Sequence, residues 1–247
     1  MFSQEFKNRI IEAKSVVVLT GAGVSKESGL DTFRDPGGFW SQHNPMDLAS
    51  QGGFAENPKL VWQWYMFRRN TLTNAKPNPG HFALKEMENL FESFAIFTQN
   101  VDRLHHQAGS RKVYELHGNI IESHCNDCGL VYLDEIDVEK ALPVCPVCKG
   151  LVRPSVVWFG EQLPEDVLES AVDWTRSADL FFTIGTSAEV YPAAQLPHLA
   201  KESGAYVVEI NPNPTSFTRF ADLSLREPSG IILPQILELI REIRLND

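Results

Sequence analysis

The four cysteines of the chain form two pairs with the spacing of a metal site. Cys125 and Cys128 make one C-x-x-C pair, and Cys145 and Cys148 make a second pair after sixteen intervening residues. Each pair predicts a tight turn that directs two thiolates at one point, and four thiolates complete a closed tetrahedral zinc site. Redox dithiols or unrelated core cysteines are the alternatives. Because a closed site leaves no position for a substrate, we expect one structural Zn2+ per chain.

A glycine-rich turn, TGAGVSKESG, occupies residues 20–29 directly after the first apolar run. Glycines at Gly21 and Gly23 let a backbone approach a pyrophosphate, and a following helix N-terminus supplies amide donors. Lys26 stands where a standard dinucleotide pattern has its third glycine. The turn alone is therefore a weak signal, and a tight turn without any ligand is its alternative.

Further polar clusters come directly after several apolar runs. Parallel sheets bind ligands at the carboxyl ends of their strands, so clusters that are distant in sequence can converge on one crevice there. The clusters are DTFR (31–34), TQNVDRLH (98–105), ELHG (115–118), GTS (185–187) and INPNPT (210–215).

The elements that position these clusters alternate between apolar strands and amphipathic helices. Such alternation is typical of a doubly wound α/β domain, with a mainly parallel sheet covered on both faces. The predicted strands are Ser15–Thr20, Phe94–Thr98, Val113–Leu116, Val152–Trp158, Asp179–Ile184 and Ala205–Ile210. The predicted helices are Phe82–Phe91, Glu165–Arg176, Ala193–Ser203 and Leu233–Arg244.

Two segments interrupt this alternation and are interpreted as insertions. Residues 37–75 are rich in Trp, Phe, Gly and Pro, and residues 119–153 contain all four cysteines. We therefore predict three parts: the α/β domain from residues 1–36, 76–118 and 154–247, an insertion at 37–75, and a zinc-binding module at 119–153.

Composition excludes some classes of function. The formal net charge is −10, the pI is near 5.2 and there is no basic block, which argues against direct, sequence-independent nucleic-acid binding. The first apolar run, at Val16, is too short for a signal peptide or a membrane span. We expect a cytoplasmic protein, and a monomer because coiled-coil heptads are absent from the sequence.

Taken in order, the motifs make the sequence resemble the sirtuin family of NAD-dependent protein lysine deacylases. The resemblance runs from about Ala13 to Pro214 and rests on GAGVS, TFR, TQNVDRLH, ELHG, both cysteine pairs, VVWFGE, GTS and INPNP. It implies a Rossmann-like large domain, a small zinc module and a helical insertion. The sequence departs from the family at Asp31, where proline is usual, and at Asp35 and Pro36, where a small residue is common after the arginine.

The resemblance implies that NAD is consumed as a co-substrate and that no hydride moves. Asn100 and Asp102 would line the nicotinamide pocket and the adjacent ribose, Phe33 would shield the reacting face of the sugar, and His117 would be the catalytic base. The residues that the resemblance places in contact with NAD are Gly21, Ala22, Gly23, Phe33, Arg34, Gln99, Asn100, Asp102, Gly185, Thr186, Ser187 and Asn211.

The implied second substrate is a protein or peptide that carries an acylated lysine. VVWFGE resembles the strand on which this peptide lies, held by the backbone of Val157, Phe159 and Gly160. In the family the acyl oxygen attacks the anomeric carbon of NAD as nicotinamide leaves. A histidine then accepts a proton from the ribose hydroxyls. The products would be free lysine, nicotinamide and O-acyl-ADP-ribose.

Taken singly, several of these residues have ordinary structural interpretations. His117 alone is more often a satisfied structural histidine, and Asp102 alone suits the N-cap of a helix that opens at Arg103. Arg34 alone suits a surface ion pair, and Phe33 and Phe159 alone suit a core. We interpret His105 and His106 as structural.

Tyr65 and Arg68 lie three residues apart in KLVWQWYMFRRN, on one face if this run is a helix. The pair resembles the sirtuin subclass that removes succinyl, malonyl or glutaryl groups, and Ala49 matches a small residue that widens its acyl pocket. A guanidinium and a phenol hydroxyl together suit a carboxylate. The alternative is that Arg68 or Arg69 reaches solvent or a neighbouring carbonyl.

We therefore expect an NAD-dependent deacylase that prefers acidic acyl groups and removes acetyl more weakly. A plain deacetylase is an alternative in which Tyr65 and Arg68 lie outside the acyl pocket. A mono-ADP-ribosyltransferase would use the same NAD site with another acceptor. A non-catalytic NAD-binding module is the fourth hypothesis, and His117 argues against it.

Overall fold

The computed structural model describes residues 2–31 and 44–244. Its helices are α1 (Gln4–Glu12), α2 (Pro45–Leu48), α3 (Gln51–Glu56), α4 (Pro58–Asn74), α5 (Pro79–Met87), α6 (Leu104–Ala108), α7 (Glu165–Arg176), α8 (Leu196–Glu202) and α9 (Ser229–Arg244). Short 3-10 segments lie at Ala22–Ser28, Ala193–Gln195 and Thr218–Phe220. The strands are β1 (Ser15–Thr20), β2 (Ser93–Thr98), β3 (Val113–Glu115), β4 (Gly118–Cys125), β5 (Val152–Val156), β6 (Leu180–Ile184), β7 (Tyr206–Ile210) and β8 (Leu223–Leu225).

The chain divides into two compact units. The first unit contains the residues up to Leu30, Lys76–Leu116 and the residues from Pro164 onward. The second contains the described part of Asp31–Ala75 together with His117–Leu163. The three-part division made from the sequence stays a prediction. The residues Phe33 and Arg34, for which the sequence predicted NAD contacts, lie outside the described residues, as do Asp35 and Pro36.

The first unit is a parallel α/β sheet, as predicted. Its strand order is β3-β2-β1-β6-β7-β8, and every neighbouring pair is parallel. From β1 the chain builds β2 and β3 on one side, and later adds β6, β7 and β8 on the other side. The order therefore reverses between β1 and β6, where open α/β sheets bind ligands beyond the carboxyl ends of the strands.

The central strands of this sheet end level with one another. Thr20 of β1 is in register with Thr98 of β2 and with Ile184 of β6, and Ile184 is in register with Ile210 of β7. The four strands are almost fully buried, which explains their continuous apolar sequences. The residues that follow these ends therefore meet along one edge.

Apolar side chains cover both faces of the sheet. On one face, α1, α5 and α9 pack with alternate residues of the central strands, including Val16, Val18, Ile96 and Phe182. The intervening residues, such as Phe181, are also fully buried, and α7 and α8 lie on strands β3, β6 and β7. The sheet is thus fixed from both sides, and its carboxyl edge is a rigid base for the loops that leave it.

The second unit combines helices α2–α4 with an antiparallel pair, β4 and β5. The sequence predicted a strand at Val152–Trp158 within a mainly parallel arrangement. The structure ends this strand at Val156 and pairs it only with β4. An apolar run indicates a buried strand but carries no information about which strand it joins, so this difference has a simple cause.

No helix among the described residues is long and apolar enough to cross a membrane. The cytoplasmic location stays a prediction from the sequence.

Candidate functional site

The glycine turn of the first unit packs directly on the loop after β6. Gly21 N–H donates to the Ile184 carbonyl at 2.9 Å, and Gly23 N–H donates to the Gly185 carbonyl at 2.8 Å. A Cβ added to Gly23 would lie 2.7 Å from the Cα of Gly185, and Gly185 itself has a φ of +61°. Close approach of two backbones therefore requires these glycines. Ala22 is half-buried beside them.

Three buried side chains form a hydrogen-bond network next to this turn. Ser25 Oγ donates to Asp102 Oδ2 at 2.7 Å and accepts from Asn100 Nδ2 at 3.1 Å. Asn100 N–H donates to Thr98 Oγ1 at 3.0 Å, directly beyond the end of β2. The structure thus brings the two predicted nicotinamide-site residues together through Ser25, to which the sequence analysis had assigned no role.

Asp102 also binds the start of a helix, which is the structural role that the sequence suggested as an alternative. Its Oδ1 accepts from Leu104 N–H at 2.9 Å, so it stabilises the start of α6. The helix begins at Leu104, one residue later than expected, because Arg103 is in the left-handed region with a φ of 62°. One carboxylate therefore anchors α6 and binds Ser25 at once, so its position is strongly fixed.

A second group links the loops after β2, β6 and β7. Gln99 Nε2 donates to Thr186 Oγ1 at 3.0 Å, and Asn211 Nδ2 donates to the Thr186 carbonyl at 3.0 Å. Thr186 is buried, and Ser187 beside it is half-buried. Four predicted NAD contacts from three separate loops therefore lie at the same edge of the sheet, where polar groups suit the hydroxyls and phosphates of a dinucleotide.

Two buried histidines lie beneath this edge. His105 Nε2 is 3.0 Å from Thr20 Oγ1, and its ring centroid is 4.8 Å from that of His81. Burial lowers the pKa of His81 to about 4 and the pKa of His105 well below its ordinary value. Both rings are therefore neutral at pH 7, in agreement with a structural role for His105. No motif in the sequence pointed to His81.

The cysteine cluster of the second unit fits a zinc ion. Its four ligand atoms lie within 4.8 Å of one another, with Cys125 and Cys148 Sγ at 3.3 Å and Cys128 and Cys145 Sγ at 3.7 Å. Four sulfurs at about 2.3 Å from one zinc ion would be roughly 3.8 Å apart. An all-thiolate, closed donor set is that of a structural zinc site.

His117 lies in the second unit, immediately before β4. Its carbonyl accepts from Val157 N–H at 2.9 Å, and its side chain is half-buried. The next residue, Gly118, has a φ of +67°, and a Cβ there would lie 2.1 Å from the Ser155 carbonyl oxygen. Only glycine fits this turn, which fixes the backbone on which His117 is carried.

The segment predicted to hold the peptide follows β5. Phe159 N–H donates to the Ala49 carbonyl at 2.9 Å, and Val157 N–H is bonded to His117, so neither amide remains for a peptide. Pairing with a substrate would have to use other backbone groups of this segment. Phe159 and Gly160 are exposed.

Tyr65 and Arg68 both lie on α4. Tyr65 is buried, and its Oη accepts from Trp158 Nε1 at 2.9 Å. Arg68 is half-buried, with its guanidinium carbon 5.2 Å from the centre of the Trp64 ring. Burial raises the pKa of Tyr65 to about 12, although the charge of Arg68 opposes this shift. The phenol is therefore neutral and able to donate a proton to an acceptor.

The neighbouring arginine has the structural role that the sequence offered as an alternative. Arg69 Nε donates to the Ile120 carbonyl at 2.7 Å, and its Nη2 donates to Glu122 and Ser123 of β4 at 3.1 and 2.9 Å. Its guanidinium also lies over the ring of Trp62. Arg69 therefore attaches α4 to β4.

The sequence pattern of the Sir2 family matches residues 21–192 of the chain. NAD-dependent protein deacylase 2 of Pyrobaculum aerophilum is 46% identical over 232 residues, covering 94% of this chain and 93% of that protein. NAD-dependent protein deacylase of Aquifex aeolicus is 47% identical over 233 residues, covering 94% and 98%.

Solved structures show the same relationship. A mutant Sir2 homologue with ADP-ribose has a TM-score of 0.92 at 42% identity, covering 98% of this chain and 97% of that one. A Sir2 homologue–NAD complex has a TM-score of 0.91 at 43% identity, covering 100% and 95%. A Sir2–p53 peptide–NAD+ structure has a TM-score of 0.83 at 35% identity, covering 96% and 98%.

Proposed function

The chain belongs to the Sir2 family of NAD-dependent protein deacylases, and we propose that it acts preferentially on lysines that carry acidic acyl groups, succinyl or malonyl above all. Acetyl-lysine would be a weaker substrate. The products would be free lysine, nicotinamide and O-acyl-ADP-ribose.

The observation that carries the proposal is a neutral phenol beside a guanidinium on one helix face. Tyr65 keeps its proton at any pH at which the protein would work, since burial raises its pKa to about 12. The charge of Arg68 acts on the same phenol. A carboxylate accepts hydrogen bonds from both groups, whereas an acetyl methyl group accepts from neither.

In the chemistry we propose, this chain supplies positioning and one base. His117 accepts a proton from the ribose hydroxyls, a role that a neutral imidazole can fill. Asn100 and Asp102 bind the nicotinamide end of NAD, supported by their hydrogen bonds to Ser25. Gly185, Thr186 and their neighbouring loops bind the rest of the dinucleotide.

A plain deacetylase is the second candidate, because one contact gives Arg68 a structural partner. Its guanidinium lies 5.2 Å from the centre of the Trp64 ring. Such a cation–π contact contributes about 0.5–2 kcal/mol. In this alternative the role of Arg68 would be to stabilise α4, and the acyl pocket would not distinguish a charged acyl group from an uncharged one.

The test compares kcat/KM for one peptide with acetyl-, succinyl- or malonyl-lysine. Arg68→Met should lower kcat/KM for the acidic acyl groups by about 10- to 150-fold, since a hydrogen bond to a charged group contributes roughly 1.5–3 kcal/mol. The acetyl value should change little by comparison.

Arg69→Met is a matched control on the next residue. It removes an equal charge and should lower thermal stability, because three contacts to β4 are lost, while keeping the ratio of succinyl to acetyl turnover. An Arg68→Met variant with an unchanged ratio would exclude Arg68 as the selectivity residue.

A further inference from the structure

Trp158 contacts Tyr65 through the one polar atom of its ring. Its Nε1–H donates to Tyr65 Oη at 2.9 Å, and both side chains are buried. A phenol oxygen that accepts an indole N–H must direct its own O–H proton away from the indole. The hydrogen bond therefore fixes where the hydroxyl of Tyr65 points, as well as where its oxygen lies.

Trp158 is itself held by contacts to an ion pair between the buried Arg153 and the half-buried Glu161. Its backbone N–H donates to Glu161 Oε2 at 2.7 Å, and the guanidinium carbon of Arg153 lies 3.4 Å from the centre of its ring. Arg153 is 3% exposed, pairs with Glu161 and donates from Nη2 to the Val156 carbonyl at 2.7 Å. The indole therefore has little freedom to turn away from Tyr65.

The ion pair keeps its charge over the working pH range. Burial would raise the pKa of Glu161, but the hydrogen bonds from Arg153 and from the Trp158 amide outweigh it, and the pKa is lowered. Gln51 Nε2 donates a further hydrogen bond to Glu161 Oε1 at 2.6 Å. An ion pair with a buried guanidinium and several hydrogen bonds is costly to disturb, so the orientation of Trp158 is stable.

From these contacts we infer that Trp158 is a positioning residue for the acyl-lysine site, acting through the orientation of the Tyr65 hydroxyl. This inference rests on the proposed function, in which Tyr65 meets the acyl group. A fixed hydroxyl costs less to order when a carboxylate binds, so Trp158 raises selectivity for acidic acyl groups without touching them.

A double-mutant cycle tests the inference. Trp158→Phe removes the N–H donor and keeps a ring over Arg153. It should lower the succinyl-to-acetyl ratio of kcat/KM by about 3- to 10-fold, the range of one neutral hydrogen bond. In a Tyr65→Phe background the same change should alter the ratio by less than about twofold, because the hydroxyl to be positioned is gone.

Two further variants separate positioning from packing. Phe54 contacts Trp158 at 5.2 Å between ring centroids, so Phe54→Leu disturbs packing but keeps the indole N–H. Its ratio should stay within about twofold of native. If Trp158→Phe does not fold, benzothienylalanine at position 158 replaces the N–H by sulfur in a ring of the same shape, and the cycle is repeated with it.

The outcomes distinguish this inference from the proposed function. Equal effects of Trp158→Phe in both backgrounds, or an equal loss in Phe54→Leu, would overturn the inference and leave the acidic preference standing. A native enzyme without acidic preference would overturn the proposed function. The inference, which concerns that preference, would then fall with it.

Discussion

Two neutral histidines, His81 and His105, pack next to the carboxyl edge of the sheet. Among the described residues, His81 Nε2 and His105 Nδ1 are buried without a hydrogen-bond partner. His81 Nδ1 accepts from Asn78 N–H at 3.3 Å at the start of α5, and His105 contacts Thr20 at the end of β1. Protonation of either ring would place a charge in a dry environment, so these histidines bind loops and helices to the edge only in their neutral form.

The pH dependence of stability should report His81. Its pKa is about 4 in the folded chain, against about 6.5 when unfolded, so the unfolded chain takes up the proton first as pH falls. The stabilisation is complete above about pH 6.5 and is lost between about 6.5 and 4. Between pH 7.5 and 5 the native free energy of unfolding, measured by urea titration, should fall by about 2 kcal/mol more than that of His81→Asn.

His81→Asn is the comparison variant because its amide oxygen accepts from Asn78 N–H as the imidazole does. Loss of zinc at low pH affects both proteins alike and cancels in the difference. If the free energy of unfolding falls equally with pH in the two proteins, His81 takes up its proton in the folded chain as readily as in the unfolded chain, which would contradict the prediction.

Residues at the ends of apolar runs were predictable, and their partners were not. Asn100 and Asp102 could be expected at the carboxyl edge because they follow a strand directly. Ser25 donates to Asp102 across 77 residues of sequence, and Trp158 donates to Tyr65 across 93. No periodicity or short motif encodes contacts at such separations. The catalytic and binding roles of the named site residues stay predictions.

At the scale of elements, the turn after β1 and the turn after β6 pack as one unit. Their backbones approach so closely that glycine is required on both sides. The short 3-10 segment at Ala22–Ser28 then presents Ser25 to the loop after β2. Two elements at the point where the strand order reverses therefore share a single, stiff arrangement.

Gly23→Ala should destabilise the first unit. The new Cβ would lie 2.7 and 2.8 Å from backbone atoms of Gly185, which have no room to move. Overpacking of this kind costs about 1–3 kcal/mol. Thermal unfolding should show the loss, and calorimetric titration should show weaker binding of ADP-ribose.

Gly52→Ala in α3 is the control for this prediction. The nearest atom to a Cβ there is Ser50 Oγ at 3.8 Å, so space is available. Alanine in a helix should stabilise by about 0.5–1 kcal/mol relative to glycine. If both variants lose stability equally, the close approach of the two turns is not what requires Gly23.

Five strands of the first unit, β1, β2, β3, β6 and β7, were predicted to within one or two residues because buried parallel strands have continuous apolar sequences. Two strands were missed for clear physical reasons. Strand β4 mixes exposed and buried residues and contains a register irregularity, and β8 has only three residues. The antiparallel pairing of β5 could not be predicted, because pairing depends on the partner strand.

At the scale of the whole molecule, the predicted chemistry is divided between two units of chain. Gln99, Asn100, Asp102 and Asn211 belong to the first unit, whereas His117, Tyr65 and the cysteine cluster belong to the second. The two interruptions of the strand–helix alternation, at 37–75 and 119–153, stay predictions from the sequence. The sequence could not show that these two segments belong to one unit, because the contacts that join them are distant in sequence. Trp62 Nε1, for example, donates to the Val152 carbonyl across 90 residues.

Because the cysteine cluster and the loops predicted to bind NAD belong to different units, zinc removal should impair deacylation more than dinucleotide binding. Chelation removes the ion that holds Cys125, Cys128, Cys145 and Cys148 together, and structural zinc sites contribute strongly to folding. Deacylation should be lost, while binding of ADP-ribose should weaken by less than about tenfold. Metal analysis with calorimetric titration would test this, and full activity in zinc-free protein would contradict it.

The central claim is the preference for an acidic acyl group, and direct competition tests it most simply. The native protein, NAD and an equimolar mixture of acetyl- and succinyl-lysine forms of one peptide are followed by mass spectrometry. We predict that the succinyl peptide is consumed at least about tenfold faster and that O-succinyl-ADP-ribose accumulates, as one hydrogen bond to a charged group requires. Faster consumption of the acetyl peptide would contradict the claim and identify a plain deacetylase.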